Sequence, residues 1–258
     1  MYDEGTGLPI VIVQPLQGRW QWLRGFLDAL SAECRVITYT LCGDFGADHC
    51  VASDGFDLYV RQLEGVIDRA GLERTAICGI SFGGAVALRY AARHPGRVSH
   101  LVLASAPGPG WRISSEQSRY VSHPLLTLPM FLFGALGRLS AELAAAFPRM
   151  WDRVAFVTRT ALTALRYPAL PHVMARRVRL METVDLATDA SLVTAPTLIV
   201  TGSPSLEQVV PVQSTREYLS YIPNSQYEIM EKAGHSGSLM QPLRLARIVG
   251  EFINASRT

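Results

Sequence analysis

Ser81 sits in Gly79-Ile80-Ser81-Phe82-Gly83-Gly84, the pattern Gly-x-Ser-x-Gly. The run Arg74-Thr75-Ala76-Ile77-Cys78 before it reads as a strand, and Ala85-Val86-Ala87-Leu88-Arg89-Tyr90-Ala91-Ala92 after it as a helix. A serine on so tight a strand-to-helix turn projects its hydroxyl above the sheet, with a helix N-terminus behind it. The flanking glycines leave room for backbone that a larger side chain would obstruct. With glycine at about 7% of residues, the triplet arises by chance in roughly one chain in ten of this length, so its context must carry the argument.

A serine hydroxyl is a poor nucleophile until a base within hydrogen-bond reach takes its proton and an acid orients that base. In an open α/β sheet such groups belong on loops at the C-terminal ends of the strands. His235, in Lys232-Ala233-Gly234-His235-Ser236-Gly237, follows the last predicted strand and precedes the last helix. The other histidines fit worse. His94 precedes Pro95, His100 lies in or beside a strand, His123 and His172 neighbour prolines, and His49 is in a loop after the second strand. They read as structural or solvated. The chain order Ser, acid, His asks for a carboxylate after the strand Pro196–Thr201. The loop Gly202-Ser203-Pro204-Ser205-Leu206-Glu207-Gln208-Val209-Val210-Pro211 offers only Glu207, either the orienting acid or a solvated loop charge. Asp185 and Asp189 precede that strand, at its wrong end. Charge developing on a substrate oxygen would need two backbone N–H donors. Phe82 supplies the first expected donor. Leu16, in the turn Gln14-Pro15-Leu16-Gln17-Gly18, supplies the second; Trp20 and Trp22 beyond it read as packing residues.

These loops need a scaffold, and the rest of the chain predicts one. Predicted strands are Pro9–Gln14, Arg35–Thr40, Thr75–Ile80, Val98–Ala104, Pro196–Thr201 and Ser225–Met230; helical patterns cover Arg19–Ala32, Asp57–Ala70, Phe82–Arg93, Gln213–Tyr221 and Pro242–Ala255. Near-continuous apolar strands such as Ile10-Val11-Ile12-Val13 imply burial on both faces, hence a mostly parallel sheet covered by helices. From about Pro109 to Asp185 no strand pattern appears, and the segment reads as a helical lid inserted into the sheet domain. Its 10 Arg against 5 Asp plus Glu between Gly110 and Asp185 read as a solvated basic face. The expected organisation is a core of 1–108 and 186–258 with a lid over 109–185.

Bulk composition narrows the function. A hydrophobic content of 48%, a charged content of 18% and a net charge of +2 describe a globular chain with no electrostatic reason to bind nucleic acid. Lys232 is the only lysine, which reads as genomic base composition. Cys34, Cys42, Cys50 and Cys78 show no metal-ligand spacing and no CxxC pair, and read as reduced thiols. There is no signal-peptide pattern and no apolar run of membrane-spanning length. A cytoplasmic, soluble protein that binds neither metal nor membrane is expected, and Asn254-Ala255-Ser256 reads as a chance glycosylation pattern.

Taken together, the residues resemble the α/β-hydrolase fold family, in its lidded branch of esterases, carbon–carbon hydrolases and perhydrolase-like proteins. The resemblance spans nearly the whole chain. It rests on the Gly79–Gly84 elbow, the link Arg93-His94-Pro95-Gly96-Arg97-Val98, the strand Ala195-Pro196-Thr197-Leu198-Ile199-Val200-Thr201-Gly202 and the pair Gly234-His235. It implies an eight-stranded, mostly parallel sheet and no cofactor. It implies a triad with the nucleophile at Ser81, the acid at Glu207 and the base at His235. Three departures stand out. Gln14-Pro15 replaces the family's usual His-Gly. The acid is glutamate on a longer loop instead of aspartate. The chain begins almost directly at Pro9, so the N-terminal hairpin strands are expected to be reduced or missing. Without them Arg35–Thr40 becomes a bare sheet edge, an invitation to pair with another chain, and a homodimer through that edge is expected.

The resulting expectation is a serine hydrolase that cleaves a small to medium, largely apolar ester through an acyl-enzyme on Ser81, with the lid contacting the apolar part of the substrate. Two alternatives stay open: a carbon–carbon bond hydrolase or lyase on the same triad, and a non-catalytic binding protein on the same scaffold.

Overall fold

The computed structural model describes residues 1–48, 50 and 55–255; His49 and Ser256 lie outside them. Among the described residues seven strands form one sheet. They are β1 (Tyr2–Glu4), β2 (Pro9–Val13), β3 (Arg35–Thr38), β4 (Thr75–Ile80), β5 (Val98–Ala104), β6 (Thr197–Gly202) and β7 (Ser225–Met230), in the order β1-β3-β2-β4-β5-β6-β7. Every pairing is parallel except that of β1 with β3.

The apolar runs of β2 and β4 bury both faces because alternate residues point to opposite sides. Val11, Val13 and Ile77 join one core, against α2 (Asp57–Arg69) and α3 (Phe82–Arg93). Ile10, Ile12, Ala76 and Cys78 join the other, against α1 (Arg24–Leu30) and α12 (Pro242–Asn254). The strand β6 leads through α9 (Val212–Arg216) and α10 (Tyr218–Tyr221) to β7, and β7 through α11 (Gly237–Met240) to α12.

Between β5 and β6 the chain leaves the sheet. Helices α4 (Ser115–Ser122), α5 (Leu128–Ala146), α6 (Met150–Arg166) and α7 (Pro171–Met181) form the insertion, and α8 (Leu186–Ser191) brings the chain back. Trp22 fastens the insertion to the first helical turn by donating its indole N–H to the Tyr167 carbonyl at 3.0 Å. No helix among the described residues is long and apolar enough to cross a membrane.

Two expectations are corrected here. The edge at Arg35–Thr40 is not bare: β1 lies antiparallel on β3, pairing Tyr2 with Thr38 and Glu4 with Val36. Arg35 grips Asp3 at 2.8 Å across that pair, and the Tyr2 ring packs on Trp20 with centroids 5.3 Å apart. Three residues are too few to give a strand pattern, and it is the neighbour's open ladder that fixes them. The reason for expecting a dimer through β3 therefore falls away. The cysteines are not all reduced either: Cys42 and Cys50 form a disulfide with Cα atoms 5.6 Å apart. A separation of 8 residues carries no motif, and it is the turn between them that brings the sulfurs together. Cysteine usage thus gives no argument for a reducing compartment.

Candidate active site

Ser81 stands at the junction of β4 and α3 with φ 52° and ψ −118°. That left-handed backbone costs a β-substituted residue about 1–3 kcal/mol. Close packing enforces it. A Cβ on Gly79 would lie 2.3 Å from the Gly83 carbonyl oxygen, and one on Gly84 would lie 2.3 Å from the Ala106 side chain. The Ser81 N–H donates to the Ala104 carbonyl at 2.8 Å, tying the turn to β5.

His235 arrives on the loop between β7 and α11. Its Nε2 is 3.0 Å from Ser81 Oγ, and its Nδ1 is 3.2 Å from Glu207 Oε2. With the ring proton on Nδ1, the imidazole donates to Glu207 and leaves Nε2 free to accept from the serine. The loop from β6 folds so that Glu207 turns inward. Its Oε1 accepts the Val209 and Val210 N–H groups at 2.9 and 3.0 Å. Burial by itself would raise the Glu207 carboxyl, but His235 and these two donors outweigh it and hold the group below its usual range. Burial likewise disfavours the imidazolium, yet the charge and hydrogen bond of Glu207, together with Glu142, raise His235 above its ordinary value. A polarised serine, a base of raised pKa and a buried anion in line can perform nucleophilic displacement at a carbonyl.

The start of α3 abuts the end of β2. A Cβ on Gly83 would meet the Val13 and Gln14 carbonyl oxygens at 2.3 and 2.7 Å. This contact sets the beginning of the turn Gln14–Gly18, which carries Leu16, against the start of α3. The turn closes with Gly18 N–H donating to the Pro15 carbonyl at 2.9 Å. Gln14 is fully buried, and its amide donates to the Thr38 hydroxyl. A buried glutamine thus braces the turn where the family's usual histidine is missing.

Two insertion side chains complete the surroundings. Arg177 of α7 is buried; it donates to the Leu16 carbonyl at 2.7 Å and the Cys42 carbonyl at 3.1 Å, and pairs with Asp44 at 2.5 Å. Glu142 of α5 is 2% exposed and accepts the Gly234 N–H at 2.7 Å and the Ser236 N–H at 3.3 Å.

A family description of the alpha/beta hydrolase fold matches residues 9–242. The chain belongs to that family. It is 26% identical to the 2-hydroxymuconate semialdehyde hydrolase of Pseudomonas sp. (strain CF600), over 98% of this chain and 89% of that protein. Among solved structures it matches a variant of the meta-cleavage product hydrolase CumD, an enzyme of Pseudomonas fluorescens IP01. That match has 25% identity and a TM-score of 0.75, covering 98% of this chain and 93% of the other. An esterase from Exiguobacterium antarcticum shares the fold with a TM-score of 0.79 at 20% identity, covering 98% and 94%.

In this hydrolase-fold chain the structure brings Ser81, His235 and Glu207 into hydrogen-bonded line, with Phe82 next to Ser81 at the start of α3. It gives two of the other histidines different contacts: His94 stacks on Tyr90 and His100 meets Phe252 edge-on. The basic-face reading of the insertion holds for exposed Arg149, Arg159 and Arg166 but not for Arg177. Nor does all the insertion's apolar surface serve the site, since Trp151, Leu162 and Leu165 are 62 to 81% exposed on α6. Sequence reasoning missed Arg177, Asp44 and Glu142. The one signal for Glu142 is that it is the lone acidic residue in the long helix Leu128–Ala146, where Arg138 is the only other charged side chain.

Proposed function

We propose that the protein is a serine hydrolase that cleaves a small to medium, largely apolar ester. The observation that carries this reading is the unbroken line from Ser81 Oγ through His235 to Glu207, at 3.0 and 3.2 Å. Ser81 Oγ attacks the ester carbonyl carbon while its proton passes to His235 Nε2. The carbonyl π electrons move to oxygen, where the Phe82 and Leu16 N–H groups hold the charge. The intermediate collapses with loss of the alcohol, which takes the proton from Nε2. Water then attacks the acyl-enzyme, again giving a proton to Nε2. Collapse releases the acid and returns the proton to Ser81. Glu207 orients the imidazole and stabilises its charged form twice in each cycle.

Arg177 supports a neutral substrate. Its guanidinium is already neutralised by Asp44 and occupied by backbone carbonyls, so a substrate carboxylate would have to compete for it. A second reading is carbon–carbon hydrolysis of an oxo compound, favoured by the full-length similarity to the 2-hydroxymuconate semialdehyde hydrolase and the meta-cleavage product hydrolase. Both use the same displacement machinery and differ in the leaving group. The protein is proposed to work in the cytoplasm, with 109–185 acting as the lid over the site.

A fluorophosphonate probe tests the shared step: it should label the parent and not Ser81→Ala. A folded parent that stays unlabelled would instead support a binding protein on a hydrolase scaffold. Turnover of p-nitrophenyl esters of rising chain length, set against a vinylogous oxo acid, then separates the two readings. Faster turnover of the oxo acid would displace the ester proposal.

A further inference from the structure

We propose that Glu142, carried by the helical insertion, is a positioning residue that couples closure of that insertion to the alignment of His235. The inference rests on the roles given above to Ser81 and His235. Glu142 sits on α5, near the C-terminal end of a helix whose sequence is otherwise almost wholly apolar. Its two oxygens accept the N–H groups of Gly234 and Ser236, the residues on either side of His235. The carboxylate therefore spans the histidine's own backbone and fixes the direction from which the ring leaves it.

The loop is clamped from both sides. On the sheet side, Ser203 N–H donates to the Ala233 carbonyl at 2.7 Å, and Lys232 N–H donates to Ser203 Oγ at 3.1 Å. On the insertion side stands Glu142. Gly234 lies between them with no room for a side chain: a Cβ there would be 2.4 Å from the Leu206 carbonyl oxygen and 3.0 Å from Glu142 Oε2. Leu206 immediately precedes Glu207, so one contact zone joins the acid's loop, the histidine's loop and the insertion.

A carboxylate is an expensive choice for a packing position, because a buried charge without a charged partner is costly. Burial raises the Glu142 carboxyl above its usual range, while the two N–H donors pull the other way. The charged groups facing it are Glu207, which adds to the rise, and His235, which opposes it. Closing the insertion therefore costs the desolvation of Glu142, and opening it frees the histidine loop on one side. In exchange, the closed state places a second negative charge near the imidazole. Glu142 is among the groups that raise His235, so it favours the imidazolium that forms when Ser81 attacks.

The test uses the full chain with Glu142→Gln, which keeps the volume, accepts one N–H and removes the charge. Fluorophosphonate labelling of the parent first establishes an activated Ser81. An unlabelled parent that turns over no ester overturns the reading of Ser81, and this inference with it. In a labelled parent, Glu142→Gln should lower kcat about tenfold with KM within about twofold, the pattern of an interaction realised in the transition state. The acidic limb of its pH–rate profile should move to lower pH, because His235 loses a nearby negative charge. A packing role alone would leave that limb in place. A labelled parent whose Glu142→Gln variant matches it in kcat and in the acidic limb overturns the inference. Should the variant not fold, amide exchange on the parent decides. Peptides covering 138–146 and 232–237 should open at one common rate, and independent opening overturns the coupling.

Discussion

The insertion reaches into the sheet domain through two buried charges that are satisfied in opposite ways. Arg177 meets an opposite charge, Asp44, and three backbone carbonyls, Leu16, Leu41 and Cys42, and lies over the Tyr59 ring at 5.6 Å. The Cys42–Cys50 disulfide closes the loop that carries Asp44. Among the described residues Glu142 has no cation beside it other than the titratable His235, and it leans on two peptide N–H groups. Breaking the first contact strands a buried carboxylate; breaking the second releases a carboxylate that burial disfavours. One attachment is therefore an anchor beside the Leu16 turn. The other, in the proposal above, is the contact that opens, and it holds the residues on either side of His235.

The contrast can be broken by experiment, and the largest effect sets the scale. Glu207→Gln should lower kcat/KM by about 10³- to 10⁴-fold with little change in Tm, since it removes the group that orients His235; a loss under about tenfold would leave Glu207 a structural residue. Arg177→Ala should cost about 3–5 kcal/mol of stability in urea unfolding, because Asp44 stays buried without its partner, and Asp44→Ala on top should recover part of that. A loss of a few tenths would make the two attachments alike. Reducing the Cys42–Cys50 bridge should cost about 2 kcal/mol, and less in the Arg177→Ala background, where the braced loop has already lost its partner. Glu142→Gln should change stability by less than about 1 kcal/mol, since it removes an unfavourable buried charge; a drop as large as that of Arg177→Ala would dissolve the contrast. The smallest effect is a shift in pH. His235 is raised in the folded chain, so kcat/KM should fall as pH drops through a value above the ordinary imidazole figure of about 6.5. A limb at or below that value would mean the carboxylates do not act on the ring.

The sheet could be read almost to the residue where periodicity is strong. Thr75–Ile80, Phe82–Arg93, Val98–Ala104 and Ser225–Met230 are predicted with the bounds they have in the structure. Two buried strands, one strand that alternates between half-buried and exposed residues, and a helix with two glycines in its first turn leave a dense local signal. Tyr2–Glu4 escaped because a three-residue strand takes its conformation from β3 beside it. Arg177 lies within Met174-Ala175-Arg176-Arg177-Val178-Arg179, where neighbouring arginines are solvated, and nothing local separates the buried one. Glu142 does stand out as the one carboxylate on α5, but nothing local shows which groups it meets.

By itself, the sequence determined the sheet, the turn at Ser81 and the loops bearing His235 and Glu207, because each depends on short-range periodicity, glycine placement and chain order. Only the tertiary structure decided which insertion charges are buried, which backbone groups they hold, that β3 is capped and that Cys42 meets Cys50. Those facts depend on where helices far apart in sequence come to rest. The energy of a buried charge is set by its neighbours in space and leaves no mark on its neighbours in the chain.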